Sequence, residues 1–249
     1  MMRAAGITGV ELAPTLVWSD PLRATSAEVQ RVRGWWEDGG VSIVALQALL
    51  FGRPDLTLFD GEAARRSMLD HLTGMMDLAA QLGARPLVFG SPMNRRLGER
   101  PLAEAWQIAR EFFAVAGVRA VERGVVLALE PNPRAYGCDF VQTAAEGLAL
   151  VRAVGSPGFR LHLDAGALML NAEPLPETIT ESASELCHFH ASEPQLLALG
   201  TGGVNHAACA AALRAIQYDG CVSLEMRAVT GPGTDLSRVL LMLGEWYGA

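Results

Sequence analysis

Four hydrophobic segments of the sequence each end in a side chain that can bind a metal ion. The segments are VVLALE (125–130), FRLHLD (159–164), ELCHFH (185–190) and CVSLE (221–225), which end in Glu130, Asp164, His190 and Glu225. Each segment is typical of a buried β-strand, because short apolar runs favour parallel sheets that are covered on both faces. The carboxyl ends of such strands meet at one rim of a barrel. The pattern therefore predicts that these four polar side chains converge at the mouth of a parallel β/α barrel.

Strand-like and helix-like patterns alternate along all 249 residues, which predicts a single α/β barrel domain spanning 1–249. We predict strands at 9–13, 42–47, 86–90, 125–130, 159–164, 186–191 and 221–226. Amphipathic helical patterns lie between and after them, at 25–38, 62–82, 101–123, 142–154, 175–185, 205–216 and 235–247.

The predicted strands number seven, whereas a closed barrel of this type has eight. Because residues 1–6 resemble the last turn of a helix that ends at Gly6, we predict that the first β/α unit is missing. The alternatives are a naturally open seven-stranded barrel and a strand overlooked between residues 47 and 86. An open barrel would expose unpaired strand edges, which a homo-oligomer could cover.

Three carboxylates and one imidazole at a barrel mouth would suit a fairly hard divalent cation. Mn²⁺ or Mg²⁺ fits these donors best, with Co²⁺ and Zn²⁺ as alternatives. Without a cation, the crowded carboxylates would repel one another. The competing interpretation is that each polar residue only ends its strand.

Strand alternation predicts which further side chains face the barrel interior. His162 and His188 fall one layer below the candidate ligands of their own strands, where they could orient those ligands or act as ordinary core histidines. Arg227 falls on the mouth side of Glu225, and its guanidinium could bind a substrate carboxylate or phosphate, or neutralise neighbouring acids.

Composition excludes several kinds of chemistry. The chain has no lysine, and all 20 of its basic residues are arginine, so Schiff-base and pyridoxal-phosphate catalysis are ruled out. A net charge of −7 disfavours a nucleic-acid partner. The four cysteines form no CxxC pair, and no segment resembles a leader or a membrane span. We therefore expect a cytoplasmic protein with no membrane partner.

The sequence resembles the sugar phosphate isomerase/epimerase superfamily, whose fold is the xylose isomerase-like TIM barrel. The matching segments are GVELAPT, LALEPN, LHLDAG, HFHASE and SLEMR. The resemblance implies that Glu130, Asp164, His190 and Glu225 bind one divalent metal ion. It further implies isomerisation or epimerisation of a small sugar or hydroxyketone through an enediolate, with Glu130 and Glu225 moving the proton. Matched from its last strand backwards, the chain has no counterpart of the family's first strand.

The sequence also departs from the ketose 3-epimerases of that superfamily. Many relatives have a histidine three residues after the ligand aspartate, where this chain has Ala167. Ketose 3-epimerases tend to have a glutamate where this chain has Tyr136. Glu193 does match a glutamate that often follows the ligand histidine. With Asn132, Tyr136, Arg227, His162 and His188, it completes our predicted substrate-binding set.

Three other functions compete with this interpretation. A metal-dependent dehydratase acting on a cyclic polyol ketone, of the inosose or dehydroshikimate type, would keep the same centre and then lose water. A phosphodiesterase like endonuclease IV shares the fold but needs many histidines, and this chain has five. A catalytically silent barrel protein is the third alternative.

Overall fold

The strands follow chain order around a single parallel sheet. The computed structural model describes residues 2–228 and 235–248. Within them the sheet has seven strands, each hydrogen-bonded to the next along the chain: β1 (Gly9–Leu12), β2 (Ser42–Leu46), β3 (Pro86–Phe89), β4 (Val126–Leu129), β5 (Phe159–Asp164), β6 (Leu186–Ser192) and β7 (Val222–Glu225). This order confirms the predicted seven-stranded barrel. No strand lies between residues 47 and 85, all of which are described, so an overlooked strand there is ruled out.

The helices cover the outside of the sheet. They are α1 (Ser26–Asp38), α2 (Glu62–Leu82), α3 (Leu102–Glu122), α4 (Ala144–Val154), α5 (Ala165–Leu170), α6 (Leu175–Glu181), α7 (His206–Ala215) and α8 (Leu236–Tyr247). Capping boxes begin α1 and α4, where Thr25 pairs with Glu28 and Thr143 with Glu146. The short helix α5 was not predicted, and the helix predicted at 175–185 ends at Glu181.

The barrel is nearly closed. In the described residues β1 and β7 lie side by side without a hydrogen-bonded ladder, so the sheet keeps two edges. Outside the sheet, Phe113 of α3 stacks on Phe159 of β5 with ring centroids 4.4 Å apart and meets Phe89 of β3 edge-on. This apolar packing fixes the strands that lead to the barrel mouth.

Strand register sets the heights of the interior side chains. In the ladder between β5 and β6, His162 lies opposite His188 and Asp164 lies opposite His190. Two layers of polar side chains therefore fill this part of the barrel, and the upper layer lies at the carboxyl ends of the strands. Among the described residues, no helix is both long and apolar enough to cross a membrane.

Candidate metal centre

The structure brings the four predicted ligands together. One ligand atom each from Glu130, Asp164, His190 and Glu225 lies within 4.8 Å of the other three. Nδ1 of His190 is 3.1 Å from Oε2 of Glu225 and 3.8 Å from Oδ2 of Asp164. Glu130 follows β4 directly, and the other three belong to the last three strands. The convergence follows from the parallel topology, because neighbouring strands end at the same rim.

The two glutamates differ from the other two ligands in exposure. The side chains of Asp164 and His190 are 3% and 1% exposed, whereas those of Glu130 and Glu225 are 13% and 21% exposed. Asp164 is also fixed by its helix, because its Oδ1 accepts the N–H of Ala167 at the start of α5 at 2.6 Å. The glutamates are thus the two ligands that face the opening.

Electrostatics favour a cation between these carboxylates. Burial raises the pKa of Glu130 to about 8, and the charges of Glu225 and Asp164 add to this rise. Burial also raises the pKa of Asp164 to about 6, an effect that the charge of His190 partly offsets. Oδ2 of Asp164 is buried and has no hydrogen-bond partner in the described part of the chain. An oxygen-rich donor set with one unpartnered carboxylate oxygen fits a divalent cation.

A glycine makes room for Glu130. A Cβ atom at Gly90, directly after β3, would overlap Oε2 of Glu130 and would lie 3.4 Å from Oδ1 of Asn132. The backbone next to Gly90 is held in place, because the N–H of Glu130 donates to the carbonyl of Phe89 at 3.1 Å. The absence of a side chain at position 90 therefore sets where the Glu130 carboxylate can lie.

A buried arginine holds the segment after β4. Nη2 of Arg95, which is fully buried, donates to the carbonyl of Glu130 at 2.7 Å and to Oδ1 of Asn132 at 3.2 Å. Asn132, a predicted substrate contact, is itself buried. The hydroxyl of Tyr136 accepts the N–H of Gln195 at 3.0 Å and so joins the loops after β4 and β6. Burial raises the pKa of that tyrosine. Substrate contacts by Asn132 and Tyr136 stay predictions.

Glu193 supports the loop after β6. It is fully buried, and its carboxylate accepts the N–H groups of Gly200 at 2.7 Å and Val204 at 3.1 Å. Nε2 of His206 lies 3.2 Å from the same carboxylate. The acidic side chain thus orders the glycine-rich loop at 200–204, and its predicted substrate contact is untested.

Removing this carboxylate should destabilise the protein. We expect Glu193→Ala to lower the free energy of unfolding by about 2–4 kcal/mol, because buried N–H groups lose their acceptor. Urea titration of the metal-free protein measures this change. The control is Glu181→Ala, at an exposed position of α6, which should shift the free energy by less than about 0.5 kcal/mol. Equal stabilities of the two variants would contradict the loop-supporting role.

Arg227 is exposed, and its backbone N–H donates to the carbonyl of Leu196 at 2.9 Å. The strand β7 ends two residues earlier, at Glu225, so alternation along the strand no longer fixes where the guanidinium points. A substrate role for Arg227 therefore stays a prediction.

His162 and His188 lie fully buried below the four ligands, as strand alternation predicts. Nε2 of His162 is 3.9 Å from Oε1 of Glu130, and its ring meets that of His190 edge-on, with centroids 4.1 Å apart. Burial, with the charges of His190 and His188, holds the pKa of His162 well below its usual value. Substrate binding by these two histidines stays a prediction.

Sequence reasoning missed Glu11 of β1. Its buried carboxylate lies 2.7 Å from Nε2 of His188 and 3.0 Å from Nε2 of His190. Burial would raise the pKa of Glu11, but the charge of His190 and hydrogen bonds from both histidines hold it well below its usual value. The available signal was a charged residue inside a short and otherwise apolar strand.

Comparison with known proteins agrees with the barrel fold. A family model described as the xylose isomerase-like TIM barrel matches residues 1–244. The chain belongs to this family. The match confirms the resemblance to the sugar phosphate isomerase/epimerase superfamily.

Several family members are similar over much of the chain. An L-ribulose 3-epimerase from Mesorhizobium japonicum is 29% identical over 73% of this chain and 61% of its own length. A ketose 3-epimerase from Arthrobacter globiformis is 31% identical over 70% of this chain and 60% of its own. A solved structure of a D-psicose 3-epimerase in the presence of D-fructose covers 99% of this chain and 91% of its own, with TM-score 0.82 and 19% identity. The chain thus spans less than two thirds of the length of these curated relatives, and the solved structure supports the fold.

Proposed function

We propose that this protein is a divalent-metal-dependent epimerase or isomerase of a small ketose or related hydroxyketone. The observation that carries the proposal is the cluster of four ligand atoms within 4.8 Å, in which only the two glutamates face the opening. The two curated relatives described above, which are 3-epimerases, support the same reaction class. Mn²⁺ or Mg²⁺ is the proposed cation, with Co²⁺ and Zn²⁺ as alternatives.

The two glutamates have the position that proton transfer requires. A divalent cation in the cluster would supply a Lewis acid that stabilises negative charge on substrate oxygens. Glu130 follows β4 and Glu225 ends β7, with β5 and β6 between these strands, so the two glutamates approach the opening from different sides. One carboxylate removes the proton from the carbon beside the carbonyl, and the other returns a proton to the opposite face. The result is inversion at that carbon.

Exchange of substrate hydrogen with solvent tests this proposal directly. Protein stripped with a chelator and reloaded with Mn²⁺ would be incubated with a panel of ketoses in D₂O and followed by NMR. We expect a new epimer or isomer with deuterium at the carbon that receives the returned proton, and no reaction in the stripped protein. Loss of water with an absorbing enone would instead indicate the dehydratase. No exchange with any ketose, despite bound Mn²⁺, would support the silent barrel.

Metal affinity should depend on pH, because protons compete with the cation for the same atoms. Since burial raises the pKa of Glu130 to about 8, its oxygens are mostly protonated at lower pH. We expect the affinity for Mn²⁺ to rise about 50-fold between pH 6 and 8 from this group alone, most steeply below pH 7. Calorimetric titration in buffers of different ionisation enthalpy measures both the affinity and the protons released. Constant affinity without proton release would contradict the raised pKa.

The predicted cytoplasmic location, the homo-oligomer and the absence of nucleic-acid and membrane partners stay predictions.

A further inference from the structure

Glu11 crosses the barrel interior to reach two histidines of a distant strand. It belongs to β1, whereas His188 and His190 belong to β6, and β7 lies between these strands around the barrel. Its side chain is 4% exposed. Oε2 lies 2.7 Å from Nε2 of His188, and Oε1 lies 3.0 Å from Nε2 of His190. A carboxylate this deeply buried needs strong partners, and the two imidazoles provide them.

These contacts determine how the His190 ring faces the four-ligand cluster. A carboxylate only accepts hydrogen bonds, so Nε2 of His190 carries a hydrogen that it donates to Glu11. The other ring nitrogen, Nδ1, points to Glu225 and Asp164, at 3.1 and 3.8 Å, and by the same rule it donates to Glu225 while no cation is bound. A cation among the four ligands would displace that hydrogen, and because Nε2 keeps its hydrogen bond to Glu11, the lone pair of the neutral ring would then lie on Nδ1.

We propose that Glu11 is a positioning residue of the metal centre, which fixes the tautomer and ring orientation of His190 so that Nδ1 faces the cation. The inference rests on the proposed function, because it requires a cation among the four ligands. A carboxylate that accepts a hydrogen bond from a metal-binding histidine also makes the ligating nitrogen more basic. Glu11 thereby acts on the metal without touching it.

The two histidines depend on Glu11 to different degrees. Nε2 of His188 also lies 3.2 Å from Oγ of Ser223, so it keeps a polar neighbour when the carboxylate is removed. In the described part of the chain, Glu11 is the only hydrogen-bond partner of Nε2 of His190. Loss of the carboxylate should therefore affect the candidate metal ligand more than the histidine below it.

The variant Glu11→Gln tests the inference with little change of shape. A glutamine presents one oxygen and one NH₂ group, so the Nε2–H of one of the two histidines would face an NH₂ donor where it now has a carboxylate oxygen. We expect the affinity for Mn²⁺ to fall roughly 10- to 100-fold in calorimetric titration of the stripped protein. The matched control is Ser223→Ala, which removes only the second neighbour of His188 and should leave the affinity within about twofold of wild type.

A second measurement needs no variant and separates positioning from mere stabilisation. Long-range ¹H–¹⁵N spectra of the wild-type protein with Zn²⁺, a diamagnetic cation, report which ring nitrogen of His190 carries hydrogen. We expect hydrogen on Nε2 and the shift of a metal-bound nitrogen at Nδ1. Hydrogen on Nδ1, or unchanged Mn²⁺ affinity in Glu11→Gln, would overturn the inference. A wild-type protein that binds no divalent cation would overturn the proposed function together with it.

Discussion

Glu225→Gln should lower kcat roughly 10³-fold while the protein keeps its fold. Glutamine has nearly the same shape and keeps one oxygen beside Nδ1 of His190, which lies 3.1 Å from Oε2 of Glu225 in the native chain. Glutamine cannot accept or return a proton, so turnover should fall. The fold should be retained because the side chain at this position is 21% exposed, and the new amide group is therefore not left in the core without a hydrogen-bond partner. Steady-state kinetics on the ketose that the exchange experiment identifies would measure the loss, and circular dichroism would verify the fold.

Solvent exchange makes the test specific to proton transfer. If two glutamates act on opposite faces, Glu225→Gln should abolish epimerisation yet still allow deuterium exchange from one of the two epimers. Glu130→Gln should leave exchange only from the other epimer. Glu181→Gln, at an exposed position of α6, is the control and should retain wild-type turnover. Retained epimerisation in Glu225→Gln would remove the proton-transfer role from that residue.

The convergence of the four ligands was predictable because each of them lies near the carboxyl end of its own strand. Apolar runs identify the strands, and parallel topology places their carboxyl ends at one rim, so no long-range information was needed. The positions of His162 and His188 followed in the same way from the two-residue repeat of a strand. These parts of the site depend on local pattern and on one topological rule.

Glu11 was not predictable by the same reasoning. Alternation can turn its side chain inward, but β1 is hydrogen-bonded to β2, and Glu11 meets histidines that lie 177 and 179 residues away in sequence. That contact depends on how nearly the barrel closes, which no local pattern reports.

The burial of Glu193, in the segment HFHASE, was not predictable for the same reason. It depends on the loop at 200–204, whose N–H groups bind the carboxylate. The helix α5 was missed because Asp164 both ends β5 and caps the helix that follows.

Gly90→Ala should weaken both metal binding and turnover by about 10²-fold, although the substitution adds only a methyl group and lies outside the ligand set. The new Cβ would overlap Oε2 of Glu130, and the backbone cannot easily move away. Phe89 pairs with Leu129 in the ladder between β3 and β4, and its carbonyl accepts the N–H of Glu130. The carboxylate must therefore rotate out of the cluster. Calorimetric titration with Mn²⁺ and steady-state kinetics would measure the two losses.

A substitution at a second glycine is the control that shows whether an added methyl group weakens metal binding and turnover wherever it is placed. Gly34 lies within α1, and a Cβ atom there meets nothing within 4 Å. Gly34→Ala should keep wild-type affinity and turnover and should stabilise the protein by up to about 1 kcal/mol, because alanine favours helix. The contrast depends only on what the added methyl group touches. If Gly90→Ala also bound Mn²⁺ as tightly as wild type, Glu130 could leave its present position without cost, and its place among the ligands would be wrong.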